Sequence, residues 1–191
     1  MLGRVNLIFD KDGIYEILLG TNGIRPALRP IGLIKSGNSL KARIYKGTLT
    51  LANLFRNDIC SINFASPKDF WYAIKDKIPY SFYYNVPVLR HHAIAKCSVL
   101  DGDKDPAEII IDIIDYKDLT LPNMLLRRGD YLLIDLLINF SRIDIYKGEE
   151  LSRLLLIIKY EINVIQKTSP DFIPIIEEIK SEILSKGYKL N

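Results

Sequence analysis

The hydrophobic pattern of the chain changes period once, near Leu119. Before that point apolar residues alternate with polar ones over short runs, the period of strands that bury one face. After it they recur every three or four residues over long runs, the period of helices. Residues 39–45 give the clearest strand, with Leu40, Ala42 and Ile44 on one face and Lys41, Arg43 and Tyr45 on the other. In residues 59–64, Ile59, Ser61 and Asn63 alternate with Cys60, Ile62 and Phe64. Residues 5–9 and 14–19 read as short strands around a turn at 10–13. Asn22-Gly23 and Ser36-Gly37-Asn38 are further turns. Pro26 and Pro30 make residues 27–33 an awkward strand, expected at an edge or a bulge. Residues 88–100 and 108–116 are long strands joined by the charged turn DGDKDP. Between them and the strand at 59–64, Ser66-Pro67 opens a helix to about residue 75, with Phe70 and Ile74 on one side. The aromatic stretch 80–84 reads as a loop or an edge strand.

The helical half starts at residues 127–143, which are apolar nearly all round. Arg128, Asp135, Asn139 and Arg142 share one polar stripe there, at spacings of seven, four and three. Two readings fit: a buried ion pair between Asp135 and an arginine, or the polar wall of a ligand pocket. Either requires the charges to be satisfied. Gly148 precedes a helix over 149–166 with Leu151, Leu154, Leu155, Ile158, Ile162 and Ile165 inward. Ser169-Pro170 starts another that ends near Gly187, so the two form a helical hairpin.

Composition narrows the function classes. At 191 residues with 48% apolar content, the chain can build one real core with an extension. The net charge is only +3 and no run of four basic residues occurs, so nucleic-acid binding is not suggested. Cys60 and Cys97, the two cysteines, lack CxxC partners. They read as buried thiols, without a zinc or redox motif. His91 and His92 point to opposite faces of a strand and cannot form a side-by-side metal pair. One is expected packed and the other solvated. Charges interrupt the first residues before a leader can develop, and the lipophilic run 131–140 is too short to span a bilayer. A soluble, cytoplasmic protein is expected. Abundant Ile and a single glutamine, Gln166, point to a hot-living source.

The chemistry concentrates where the strand at 39–45 ends. Gly47 breaks the strand, and Thr48 is placed to cap a short helix through Leu51, Leu54 and Phe55. Arg43, Lys46, Thr48 and Thr50 crowd this junction. Two cations and two hydroxyls at a helix start suit a phosphate monoester. A capped helix with solvated basic neighbours is the other reading.

Several motifs, in order, resemble the archaeal domain-of-unknown-function family 447, whose known folds are FMN-binding split β-barrels. GIYEILLGTNG, with Glu16, resembles its opening strand. ALRPIGL resembles a strand with a Pro-x-Gly element, here Pro30 and Gly32. YKGTLTLANL resembles the turn and helix after the third strand, here Tyr45, Gly47, Thr48, Thr50 and Asn53. SINFA resembles a strand with a central asparagine, Asn63. RRGDYLLIDLLINFSRI resembles a helix carrying Arg128, Asp135, Ser141 and Arg142. The resemblance implies an α+β fold, mainly antiparallel β: a split β-barrel over residues 1–118 with a C-terminal helical extension, 119–191, packed on or swapped onto it. It implies FMN at the interface of a homodimer, held by Pro30, Gly32, Arg43, Tyr45, Lys46, Gly47, Thr48, Thr50, Asn53 and Asn63. Residues 80–88 are the expected interface material. The implied function is a flavin-dependent oxidoreductase whose substrate, electron donor and catalytic residues the sequence does not name. Two other functions stay open. One is a non-enzymatic barrel dimer without flavin. The other is a nucleotide- or RNA-binding barrel using Arg25, Arg29 and Arg43 with Tyr80, Phe82, Tyr83 and Tyr84 as a stacking surface.

Overall fold

The computed structural model describes residues 8–117 and 125–190. Contacts divide the chain into two compact units, residues 1–11 with 15–126, and residues 12–14 with 127–191.

The first unit is a barrel. Its strands are β1 (Gly13–Thr21), β2 (Ala27–Ser36), β3 (Ser39–Ile44), β4 (Ile59–Asn63), β7 (His92–Asp101) and β8 (Ala107–Lys117). They run in the order β2-β3-β8-β7-β4-β1, and β1 pairs back onto β2, so six strands close on themselves. Closure leaves no free edge for another chain to extend. The strand period sets the interior: Tyr15, Ile17 and Leu19 from β1, Leu40, Ala42 and Ile44 from β3, and Ile109, Ile111 and Ile113 from β8 join one core. On the opposite face of β1, Leu18 packs with Leu28, Ala65 and Ala73. Here β1 and β4 approach so closely that a Cβ on Gly20 would lie 2.1 Å from the Ser61 hydroxyl. Two short helices, α1 (Leu49–Leu54) and α2 (Pro67–Ile74), flank β4, and β5 (Ser81–Tyr83) and β6 (Val86–Val88) form a separate hairpin.

Several expectations change. Residues 5–7 of the first expected strand lie outside the described residues, and Ile8 is helical. β2 is a continuous strand with a neighbour on each side and not an edge. Its register with β3 begins only at Leu33, beyond Pro30, so the missing N–H falls outside that pairing. The strand expected over 88–100 is broken at residues 89–91. In α2, Phe70 and Ala73 turn inward and Ile74 is exposed. At its start the Ser66 hydroxyl and amide both donate to the Asp69 carboxylate, at 2.8 Å and 2.9 Å. Cys60 and Cys97 are not free thiols but a disulfide across β4 and β7. The register pairs Cys60 with Ala95, which puts Cys97 diagonally opposite at a Cα separation of 6.1 Å, a bridgeable distance.

The second unit is helical: α3 (Arg128–Phe140), α4 (Gly148–Thr168), a 3-10 turn (Pro170–Phe172) and α5 (Ile173–Ser185). A two-residue strand, β9 (Leu126–Arg127), lies where the units meet in sequence. Leu136, Leu154, Ile158, Ile162, Ile165, Ile176, Ile179 and Ile183 make one core at the expected helical spacing. The expected buried pair at Asp135 is absent: Asp135, Arg128 and Arg142 are all exposed. The buried arginine is Arg127, one residue before the helix. Its guanidinium holds Asp130 at 2.7 Å and Asp171 at 2.8 Å and also donates to the Asp12 carbonyl. Burial opposes its charge, but the two carboxylates outweigh burial and hold its pKa above the ordinary value. From the stripe only Asn139 turns inward, donating to Glu161 at 2.8 Å.

Candidate functional site

β3 carries Arg43 outward because Leu40, Ala42 and Ile44 take the core face. The chain then turns at Gly47, whose φ of +75° is a left-handed conformation that glycine adopts without strain. Thr48 caps α1 as the sequence suggested. Its hydroxyl accepts from the Leu51 amide at 3.4 Å and donates to the Tyr45 carbonyl at 2.8 Å. Leu51 and Leu54 are buried, while Phe55, expected on the same face, is 61% exposed. α1 has only six residues, so its dipole is short and the side chains carry the site's electrostatics.

Six of the ten expected residues surround one cavity of about 570 Å³: Pro30, Gly32, Arg43, Tyr45, Thr48 and Thr50. Arg29, Ile31, Ile44 and Leu49 complete its lining. Lys46 and Gly47 instead line a neighbouring cavity of about 590 Å³, which shares Thr48 and Leu49 with the first. The Lys46 ammonium is already bonded to the Asp103 carbonyl at 2.6 Å. Asn53 and Asn63 line neither cavity. Asn53 is fully buried and donates to the Thr21 hydroxyl and Arg25 carbonyl while accepting from the Ile24 amide. Asn63 donates to the Leu18 carbonyl and Ser61 hydroxyl and accepts from the Leu89 amide. Both asparagines tie strands and loops together; the Asn53 amide is fully used, and the Asn63 amide donates only within the protein.

Charge is divided unevenly around the first cavity. Arg29 is clamped by Asp76 at 2.6 and 3.0 Å, and this bond lowers the Asp76 pKa. Glu108 stands opposite Arg43 in the β3–β8 register but bonds Lys41 at 2.6 Å. That bond, with a smaller contribution from Arg43, lowers the Glu108 pKa. Among the described residues Arg43 makes no hydrogen bond or ion pair, and the hydroxyl of Thr50, a residue 2% exposed, makes no hydrogen bond. The cavity thus offers the uncommitted Arg43 guanidinium, the Thr50 hydroxyl, the Thr48 hydroxyl once it turns from the Tyr45 carbonyl, and an apolar wall, a donor set that matches a phosphate ester on an aromatic carrier. Sequence reasoning named Arg29 only in the nucleotide-binding alternative and missed Ile31, Ile44 and Leu49 as lining, whose neighbours were its signal.

Family models of the DUF447 N-terminal domain and of DUF447, both proteins of unknown function, match residues 15–118 and 127–180. The chain belongs to the DUF447 family. Among solved structures, an FMN-bound DUF447 protein from Methanosarcina mazei is similar over 92% of this chain and 99% of that chain, with 18% identity and a TM-score of 0.50. The flavin reductase HpaC complexed with NADP+ is similar over 64% of this chain and 89% of that chain, with 16% identity and a TM-score of 0.49. An NADH:FAD oxidoreductase from Streptomyces globisporus covers 60% of this chain and 77% of its own, with 12% identity and a TM-score of 0.46. Likeness at these identities is one of fold, and the fold of this DUF447 chain is a split barrel with C-terminal helices. No curated protein matches. No helix among the described residues is long and apolar enough to cross a membrane.

Proposed function

We propose that this DUF447 chain binds FMN in the Arg43 cavity and serves as a flavin-dependent oxidoreductase. The observation that carries this reading is the pairing of an uncommitted Arg43 guanidinium with an unpartnered Thr50 hydroxyl on one cavity. Arg43, Thr48 and Thr50 would hold the phosphate, and charge-assisted bonds of this kind contribute about 1.5 to 3 kcal/mol each. Pro30, Ile31 and Gly32 supply an apolar wall for the rest of the molecule. Asp76 keeps Arg29 out of competition for the phosphate. Bound FMN supplies hydride and single-electron transfer, and the chain supplies position and electrostatics. An FMN-bound relative in the same family supports FMN as the ligand. A homodimer is part of the same proposal, and light scattering at micromolar concentration tests it.

The direct test adds FMN to the purified chain and follows flavin fluorescence and the visible spectrum, then adds NADH or NADPH under anaerobic conditions. Quenching, a shifted spectrum and bleaching faster than in free FMN are expected. An unshifted spectrum at saturating FMN would overturn the reading.

A further inference from the structure

The charged residues lining the Arg43 cavity are Arg29 and Arg43. Asp76 cancels the first of them from outside: it is not part of the lining and stands just past the end of α2. Its carboxylate accepts from Arg29 Nη1 at 2.6 Å and from Nη2 at 3.0 Å. Nη1 also donates to the Leu28 and Ala73 carbonyls, each at 3.1 Å. Two-pronged binding with backbone support fixes a guanidinium better than an ordinary surface ion pair does.

Local chemistry argues twice against an aspartate at this position. The Asp76 amide donates to the Ala73 carbonyl at 3.2 Å and the Lys77 amide to the Tyr72 carbonyl at 2.9 Å, the two bonds that close a helix around a left-handed residue. Asp76 is that residue, at a φ of +54°, where glycine is the usual occupant. A carboxylate is also unfavourable beside a helix C-terminus, the negative end of the helix dipole. A chain breaks its local rules where something else is gained, and the gain here is the clamp on Arg29. A space of about 570 Å³ is about 10 Å across, close to one screening length in ~0.1 M salt. An anion held at Arg43 therefore feels whether Arg29 is paired.

We propose that Asp76 is a positioning residue that determines specificity: by pairing Arg29 it leaves Arg43 as the uncompensated cation of the cavity, and so fits the cavity to a single phosphate on an uncharged body. The proposal rests on the flavin reading for the identity of the ligand, while inorganic phosphate and pyrophosphate probe the cavity's charge without it. The test titrates the full chain and its variants with FMN and riboflavin by fluorescence, and with phosphate and pyrophosphate by calorimetry. Asp76→Gly keeps the left-handed turn and removes the carboxylate. It should bind FMN about fivefold tighter, leave riboflavin within about twofold, and gain more for pyrophosphate than for phosphate. Asp76→Asn should repeat the gain. Arg29→Met strands the carboxylate and should weaken FMN by a similar factor, and the Asp76→Gly, Arg29→Met double variant should return close to wild type. Opposite signs on removing the two partners mark a charge effect, because loss of a merely structural clamp weakens binding from either side. Both changes should shrink in ~0.5 M salt. Weaker FMN binding in Asp76→Gly and Arg29→Met alike, or no change in either, would overturn the proposal and leave the flavin reading standing. Phosphate and pyrophosphate gains in a chain that binds no FMN would uphold the role of Asp76 and overturn the flavin reading instead. Binding of none of the four probes would overturn both.

Discussion

Arg43 and Arg127 carry the same group under opposite conditions. Arg127 is 3% exposed and its guanidinium is saturated by Asp130, Asp171 and the Asp12 carbonyl. Arg43 is exposed on the rim of a cavity and makes no bond among the described residues. A buried guanidinium must be paired to be tolerated, whereas an exposed one keeps its hydration and needs no partner. The contrast separates scaffold from site: charge already matched inside the protein holds the fold, and charge left unmatched at a cavity is available to a ligand.

Arg127→Met should give the largest effect. It leaves two carboxylates together without their cation, and both are partly solvated, so about 3 kcal/mol of stability is expected to go. Denaturant unfolding followed by far-ultraviolet circular dichroism measures it. A loss below about 1 kcal/mol would mean that the pairing is incidental. Arg43→Ala should behave in the reverse manner. FMN binding is expected to weaken by about 1.5 to 3 kcal/mol, while the ligand-free melt shifts by no more than an ordinary surface substitution. A large change in that melt would assign Arg43 to the scaffold.

Glu161 sharpens the scaffold side, since it is buried charge that is only half matched. It accepts from Asn139, but its Oε2 has no partner among the described residues. Burial raises its pKa above the ordinary 4.5, the Asn139 bond opposes the rise, and Asp135 adds to it. The folded state therefore binds this proton more tightly than the unfolded chain. Its contribution is most favourable below the unfolded pKa and is lost as pH rises through the folded one. Glu161→Gln should stabilise the protein by about 1 kcal/mol at pH 7 and flatten the stability profile above pH 4.5. Melts across that range check the sign, and a variant less stable at pH 7 contradicts it. Thr48→Ala is the smallest expected effect. The cap bond is long, 3.4 Å, so about 0.5 kcal/mol of stability is at stake, with a measurable loss of FMN affinity on top.

The sequence made the regular elements legible where burial imposes one clean period, as at Leu40, Ala42 and Ile44 or at Ile158, Ile162 and Ile165. Of the two readings of β2, edge or bulge, the edge fails, because local proline chemistry permits it while barrel closure supplies neighbours on both sides. The disulfide was hidden because no CxxC spacing announces it: Cys60 and Cys97 are 37 residues apart and meet only through the β4–β7 register. The Asp135 stripe followed helical spacing correctly but not depth, and the buried arginine sits at Arg127, where spacing on the helix does not reach. At the cavity, Pro30, Gly32, Arg43, Tyr45, Thr48 and Thr50 are brought together. Asn53 and Asn63 line neither cavity, and their amides cross-link strands and loops inside the barrel, a placement that motif spacing alone does not show.

The distinction between matched and unmatched charge rests most directly on the phosphate. Parallel titrations of the wild-type chain with FMN and with riboflavin, which differ by that group alone, isolate it. FMN is expected to bind at least about a hundredfold more tightly, the equivalent of two charge-assisted bonds at the low end of their range. Equal affinities for the two would contradict the assignment of Arg43, Thr48 and Thr50.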